Sequence, residues 1–256
     1  MAQGSKIEWT NDTWNPWHGC KKVSKGCKYC YMYRDKERFN QVPTNVIRSV
    51  ANFKYPLSVK DAKMIFTCSW SDWFIEEADD WRQEAWEIIK RTPKHTYQIL
   101  TKRPERIVEH LPKDWGDGYP NVWLGISAEN QETFDKRMAF FREVKAAIKF
   151  ISAEPLLDRI TLRYEENNGH IDWVIVGGES GNDSGKYIYR PMETNWGIRL
   201  ANECVNHKIP LFVKQMGTYI AKTQGLKDRH GRDIREFPEA LQIRQFPKHY
   251  GAENKA

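Results

Sequence analysis

The chain has 256 residues, 40% of them hydrophobic and 29% charged, which excludes a disordered chain and allows a single large core. The net charge of +6 is compatible with nucleic acid or a phosphorylated metabolite as partner and is diagnostic of neither. A polar start, no apolar run near the ~20 residues of a membrane span, and an odd count of five cysteines, three of them clustered, that suits no disulfide framework lead us to expect a cytoplasmic protein without membrane contact.

The first informative stretch is NPWHGCKKVSKGCKYCYMYR, which carries Cys20, Cys27 and Cys30 with the spacing C-x6-C-x2-C. Lys21, Lys22, Lys25, Lys28, Arg34, Lys36 and Arg38 surround the cysteines. Downstream, short apolar runs alternate with helical patterns. The runs are Met64–Cys68, Thr96–Leu100, Val122–Ile126, Lys149–Ala153, Trp173–Gly177 and Pro210–Lys214. Each is nearly continuously apolar, as a strand buried on both faces must be. Between them, Asp79–Arg91, Glu132–Ala147 and Asn195–Asn206 place apolar residues at helical spacing. Pro104–Leu111 opens on a proline, which suits a first helical turn. The alternation predicts βα units, a mostly parallel sheet, and a full or partial (β/α) barrel over residues 1–223. A turn-rich extension at 224–256 follows, with QIRQF as a candidate added strand.

The residues that close these strands form a second pattern. Ser69 and Asp72, Lys102 and Arg103, Ser127 and Glu129, Glu154, Glu179, and Lys214 with Gln215 all fall at or just beyond a strand's C-terminal end. A parallel barrel collects those ends on one face, where barrel active sites lie. Helix capping accounts for the Ser residues and not for Glu129, Glu154, Glu179 and Lys214 together.

Three clustered thiols are one short of a structural zinc set, which His18, Cys68 or Cys204 would have to complete. A [4Fe–4S] cluster held by three cysteines instead leaves one iron open to a small molecule. Gly19 and Gly26 supply the turns that a compact loop needs.

The loop resembles the cluster loop of radical S-adenosylmethionine (SAM) proteins, most closely the spore-photoproduct-lyase-like branch. That branch has three residues in the first gap, where this chain has six. Nearly the whole chain also resembles a phage and bacterial three-Cys-motif family, through KIEWTNDTWNP, GCKYCY, LTKRP, VWLGISAEN, ISAEPLL, VIVGGESG, FVKQMG and REFPEAL. The resemblance implies that Cys20, Cys27 and Cys30 hold a [4Fe–4S] cluster whose open iron takes SAM. Reductive cleavage would then give a 5′-deoxyadenosyl radical, with a reductant as electron source. Tyr29 matches the aromatic beside the SAM adenine, and Asp72, with Ser69, stands where the branch has an acid after its second strand. Ser127, Glu129 and Glu179 complete the candidate cofactor contacts. Lys102, Arg103, Glu154, Lys214 and Gln215 are candidate contacts to a nucleic acid or nucleotide substrate. The family also implies a separately encoded partner protein. The competing reading is a non-catalytic zinc or structural-cluster module working with that partner. A barrel hydrolase using Glu129, Glu154 or Glu179 ranks last, because it leaves the cysteines unexplained.

Overall fold

All six apolar runs form strands, with boundaries shifted by at most one residue at either end. The structure, a computed structural model, describes residues 4–167 and 169–248. Within these, one unit comprises residues up to 23, 32–126 and 143–147, and the other comprises 24–31, 127–142 and 148 onward. The cysteine loop is therefore divided: Cys20 belongs to the first unit, Cys27 and Cys30 to the second.

The first unit carries β1 (Asp12–Trp14), β2 (Trp17–His18), β3 (Ile47–Arg48), β4 (Met64–Thr67), β5 (Thr96–Thr101) and β6 (Val122–Ser127). Strands β1, β4, β5 and β6 pair in that order, every ladder parallel. Strands β2 and β3 make a short antiparallel ladder of their own. Every residue of β4 and β6 is buried, which explains runs without polar alternation. The helices are α1 (Tyr31–Arg38), α2 (Tyr55–Ser58) and α3 (Asp79–Arg91). Helix α3 buries Arg82, Ala85, Trp86, Ile88 and Ile89. Trp81 is only half-buried, while Arg82 lies inside. Arg82 is admitted to the core because its guanidinium donates to Trp73 O (2.8 Å), Ile75 O (2.6 Å) and Asp79 Oδ1 (2.6 Å). The expected helix from Pro104 is two single 3₁₀ turns, Pro104–Arg106 and Val108–His110.

The second unit carries β7 (Ile148–Ala153), β8 (Trp173–Gly177) and β9 (Leu211–Gln215), paired in that order and all parallel. Its helices are α4 (Gln131–Phe141), α5 (Thr194–Asn206) and α6 (Gly217–Thr223). Helix α4 stops at Phe141, short of the expected Ala147. The QIRQF segment makes a single antiparallel bridge, Arg244 to Phe212, and no full strand. Phe246 stacks on Trp173 at 5.4 Å and so ties the extension to β8. The last residues of that extension, 249–256, lie outside the described residues.

Parallel strands alternating with helices make this an α/β protein, compatible with a partial (β/α) barrel. Among the described residues, no helix is long and apolar enough to cross a membrane.

His95, fully buried, shows how the first unit depends on pH. Its Nδ1 accepts from Lys63 N (3.2 Å), which leaves Nε2 to donate to Pro56 O (3.2 Å). Burial holds its pKa below the ordinary 6.5. The unfolded chain therefore binds the proton first as pH falls. The stability that His95 contributes is fully present above about pH 6.5 and declines below it toward the folded pKa. Urea midpoints measured from pH 7.5 to 5 should fall with pH, and His95→Gln should flatten that slope.

Candidate functional site

In the first unit, Cys20 is placed by its neighbours' backbones. Gly19 has φ +102°, and a Cβ there would lie 2.2 Å from Asn45 O, so only glycine fits. Gly19 N donates to Trp70 O (2.9 Å), Ser71 Oγ to Gly19 O (2.6 Å) and Cys20 N to Pro43 O (3.0 Å). Tyr33 of α1 donates its hydroxyl to Cys20 O (2.6 Å). Below them lies Asp72. Its Oδ1 accepts from Thr101 Oγ1 (2.6 Å) and Phe74 N (3.0 Å), and its Oδ2 from Lys102 N (2.9 Å). Arg103 stands 3.1 Å from Oδ2, with both side chains under 10% exposed. Arg103 donates Nη2 to Lys21 O (3.0 Å) and brings Nη1 within 4.0 Å of Cys20 Sγ. Burial works against its charge, but Asp72 and Cys20 outweigh it, and its pKa is raised.

In the second unit, the segment Ser24–Tyr31 rests on two acids. Glu129 follows β6 and precedes the N-cap of α4. Asn130 and Thr133 form a reciprocal capping box, and Thr133 Oγ1 also accepts from Glu129 N (3.0 Å), so the cap aims the acid. Glu129 is buried. Its Oε2 accepts from Arg137 (2.9 Å) and its Oε1 from Ser24 Oγ (2.7 Å). Ser24 Oγ lies 3.8 Å from Cys27 Sγ. A Cβ on Gly26 would fall 2.3 Å from Glu129 Cγ and Oε1, so the loop needs glycine there to reach the carboxylate. Glu179, after β8, receives Arg190 through Nε (2.8 Å), Nη2 and the backbone N (2.8 Å). The same guanidinium donates to Lys25 O (2.8 Å) and lies 5.2 Å from the centre of the Tyr29 ring, over which Lys28 also sits at 5.0 Å.

The carboxylates read as cofactor contacts, Asp72, Glu129 and Glu179, are thus each engaged by protein donors. They position the loop. Ser69 exchanges hydrogen bonds with the Asn15 amide (3.0 and 3.3 Å), and Ser127 is buried with its carbonyl accepting from Arg137 (2.7 Å). Among the substrate candidates, Lys214 pairs with Glu154 at 2.6 Å, both about one-fifth exposed, and Gln215 donates to Gly178 O (2.8 Å). Arg103 and the backbone of Lys102 belong to the Asp72 bracket. Sequence reading missed Arg137, Arg190 and Ser24. Arg137 in mid-helix looks like a solvated face, and Arg190 in an irregular stretch carries no periodic signal.

None of the five cysteines is in a disulfide. Cys20, Cys27 and Cys30 are half-buried, while Cys68 and Cys204 are buried. Burial pushes the Cys68 thiol up, helped by Asp72, and pushes Cys204 to about 12. His18 is held low by burial and by Lys36, hence neutral, and its buried Nδ1 has no hydrogen-bond partner. Among the described residues, no group of three or more His, Cys, Asp or Glu side chains is gathered to hold a metal ion.

Fold and site together define an α/β protein whose parallel strand ends carry acid–arginine brackets for a cysteine-bearing loop. The chain belongs to the DUF5131 family of proteins of unknown function, whose model matches residues 4–246. No curated protein and no solved structure matches it.

Two outcomes follow. Arg103→Ala strands the buried Asp72 carboxylate and should cost about 3–5 kcal/mol in urea unfolding. Gly26→Ala should push the loop off Glu129 and speed alkylation of Cys27 by a maleimide, with little change in far-UV circular dichroism.

Proposed function

We propose that this protein is a radical-SAM-like iron–sulfur protein that binds a [4Fe–4S] cluster through Cys20, Cys27 and Cys30 and acts on a nucleic acid or nucleotide. The observation that supports this reading is that the half-buried Cys20 of the first unit, and the half-buried Cys27 and Cys30 of the second, each lie on backbone held by a buried strand-end acid and its arginine. Three thiolates suffice for a [4Fe–4S] cluster that keeps one iron open, whereas a structural zinc site needs a fourth protein ligand. Arg103 beside Cys20 offers a positive charge to a thiolate.

When bound, the cluster supplies low-potential electrons and an open coordination position. The chain's own residues orient the cysteines and charge their surroundings. For SAM the fit is different: Asp72, Glu129 and Glu179 are already engaged by protein donors. Exposed Lys22, Lys25 and Lys28 beside the cysteines suit a phosphate-bearing substrate. A cytoplasmic setting, which keeps thiols reduced, agrees with this reading.

Anaerobic reconstitution with iron and sulfide should give a brown protein with about four irons per chain, as the cluster type demands. Cys27→Ala should lose that iron while keeping its circular dichroism. A colourless protein binding one zinc would overturn the proposal in favour of the zinc-module reading.

A further inference from the structure

A continuous line of aromatic rings runs through the first unit from the cysteine loop to an exposed loop. Trp17 lies three residues before Cys20, and its ring centre is 5.1 Å from that of Trp73. Trp73 is 5.0 Å from Trp86, and Trp86 is 5.5 Å from Trp115. Trp115 is 5.0 Å from Tyr119, which Trp86 also approaches at 6.4 Å. The first three are fully buried, and Tyr119 is half-exposed. Aromatic packing alone would explain close rings. It does not explain how the N–H and O–H groups along the line are partnered.

An oxidised indole is trapped when a base takes its N–H proton. None of these indoles faces a base. Trp17 Nε1 donates to Asp72 O (3.1 Å), Trp86 Nε1 to His110 O (3.0 Å) and Trp115 Nε1 to Lys145 O (2.9 Å); all three acceptors are backbone carbonyls. Trp73 Nε1 is buried with no partner. Only the last ring has a proton acceptor: the Tyr119 hydroxyl donates to Asp114 Oδ1 at 2.6 Å, while Lys90 pairs with the other oxygen. A side branch from Trp73 through Trp14 (5.8 Å) to Tyr97 (5.8 Å) ends without a base, because the Tyr97 hydroxyl meets the Thr92 hydroxyl.

We propose that Trp17, Trp73, Trp86 and Trp115 form an electron-hole relay that drains oxidising equivalents from the cysteine loop to Tyr119. A one-electron oxidant at the loop takes an electron from Trp17 and is reduced. Trp73, Trp86 and Trp115 refill the vacancy in turn, each giving one electron to its predecessor. Tyr119 gives the last electron and passes its hydroxyl proton to Asp114, leaving a neutral tyrosyl radical at the surface. A thiol or ascorbate in solution returns one electron and one proton to it. In the cell, the oxidant is a thiyl radical at a loop cysteine, formed when a diffusing radical takes the thiol's hydrogen atom; it becomes a thiolate as it takes the electron from Trp17. The relay itself needs no iron and is tested without it.

A ruthenium polypyridyl photo-oxidant attached to Cys20, in full-length protein carrying Cys27→Ser and Cys30→Ser, supplies the hole by flash and quench. Electron paramagnetic resonance should then show a tyrosyl radical. Tyr119→Phe should abolish that signal, and Trp86→Phe, which keeps most of the ring volume, should lose most of it. Trp173→Phe, in the other unit, should leave it unchanged. A tyrosyl signal that survives Tyr119→Phe, or is undiminished in Trp86→Phe with native circular dichroism, overturns the relay. Neither result bears on iron content, which the reconstitution reads separately.

Discussion

Carboxylates buried at strand ends and paired with arginines are the constraint on which the rest of the site depends. Asp72 with Arg103 in one unit, and Glu129 with Arg137 and Glu179 with Arg190 in the other, follow one plan. Each acid sits where a parallel strand ends, and each is satisfied by a guanidinium and by further donors. Burying a charge is tolerable only when its hydrogen-bonding capacity is filled, and these pairs fill it. In two of the three, the arginine reaches onward to a carbonyl of the cysteine loop, at Lys21 or Lys25. In the third, Ser24 makes the link. An irregular, lysine-rich loop thereby gains the rigidity that a segment without regular hydrogen bonds lacks.

The glycines complete this arrangement. Gly19 turns where no side chain fits under Asn45, and Gly26 lets the chain lie against Glu129. The loop's position is thus set twice, by what holds it and by what is missing from it. The aromatic line in the first unit begins at the same place, because Trp17 hangs from the carbonyl of Asp72. Loop, bracket and ring line share one anchor, so a change at Asp72 reaches all three.

Much of the framework was legible in the residues. Six nearly unbroken apolar runs became parallel strands, because a strand covered on both faces has no room for polar alternation. What escaped was local. Strands β1 to β3 are two or three residues long, too short for any period to show. In helix α3, Arg82 joined the buried face because it found three acceptors inside, a possibility that hydrophobic patterning cannot register. The strand-end acids stood out as a group, but their partners did not. Arg137 and Arg190 look like surface residues until the fold brings them against Glu129 and Glu179.

The sequence by itself determined the α/β class, the parallel strands and the residues that close them, since burial and hydrogen bonding of neighbouring backbone follow from local pattern. It also marked the three cysteines as a set, through their spacing and glycines. Only the tertiary structure decided what the strand-end acids do. Their arginines lie 8 to 31 residues away in the chain, and a carboxylate's role is set by which charge reaches it in space. The same holds for the aromatic line, where rings from distant segments meet and only the last finds a base.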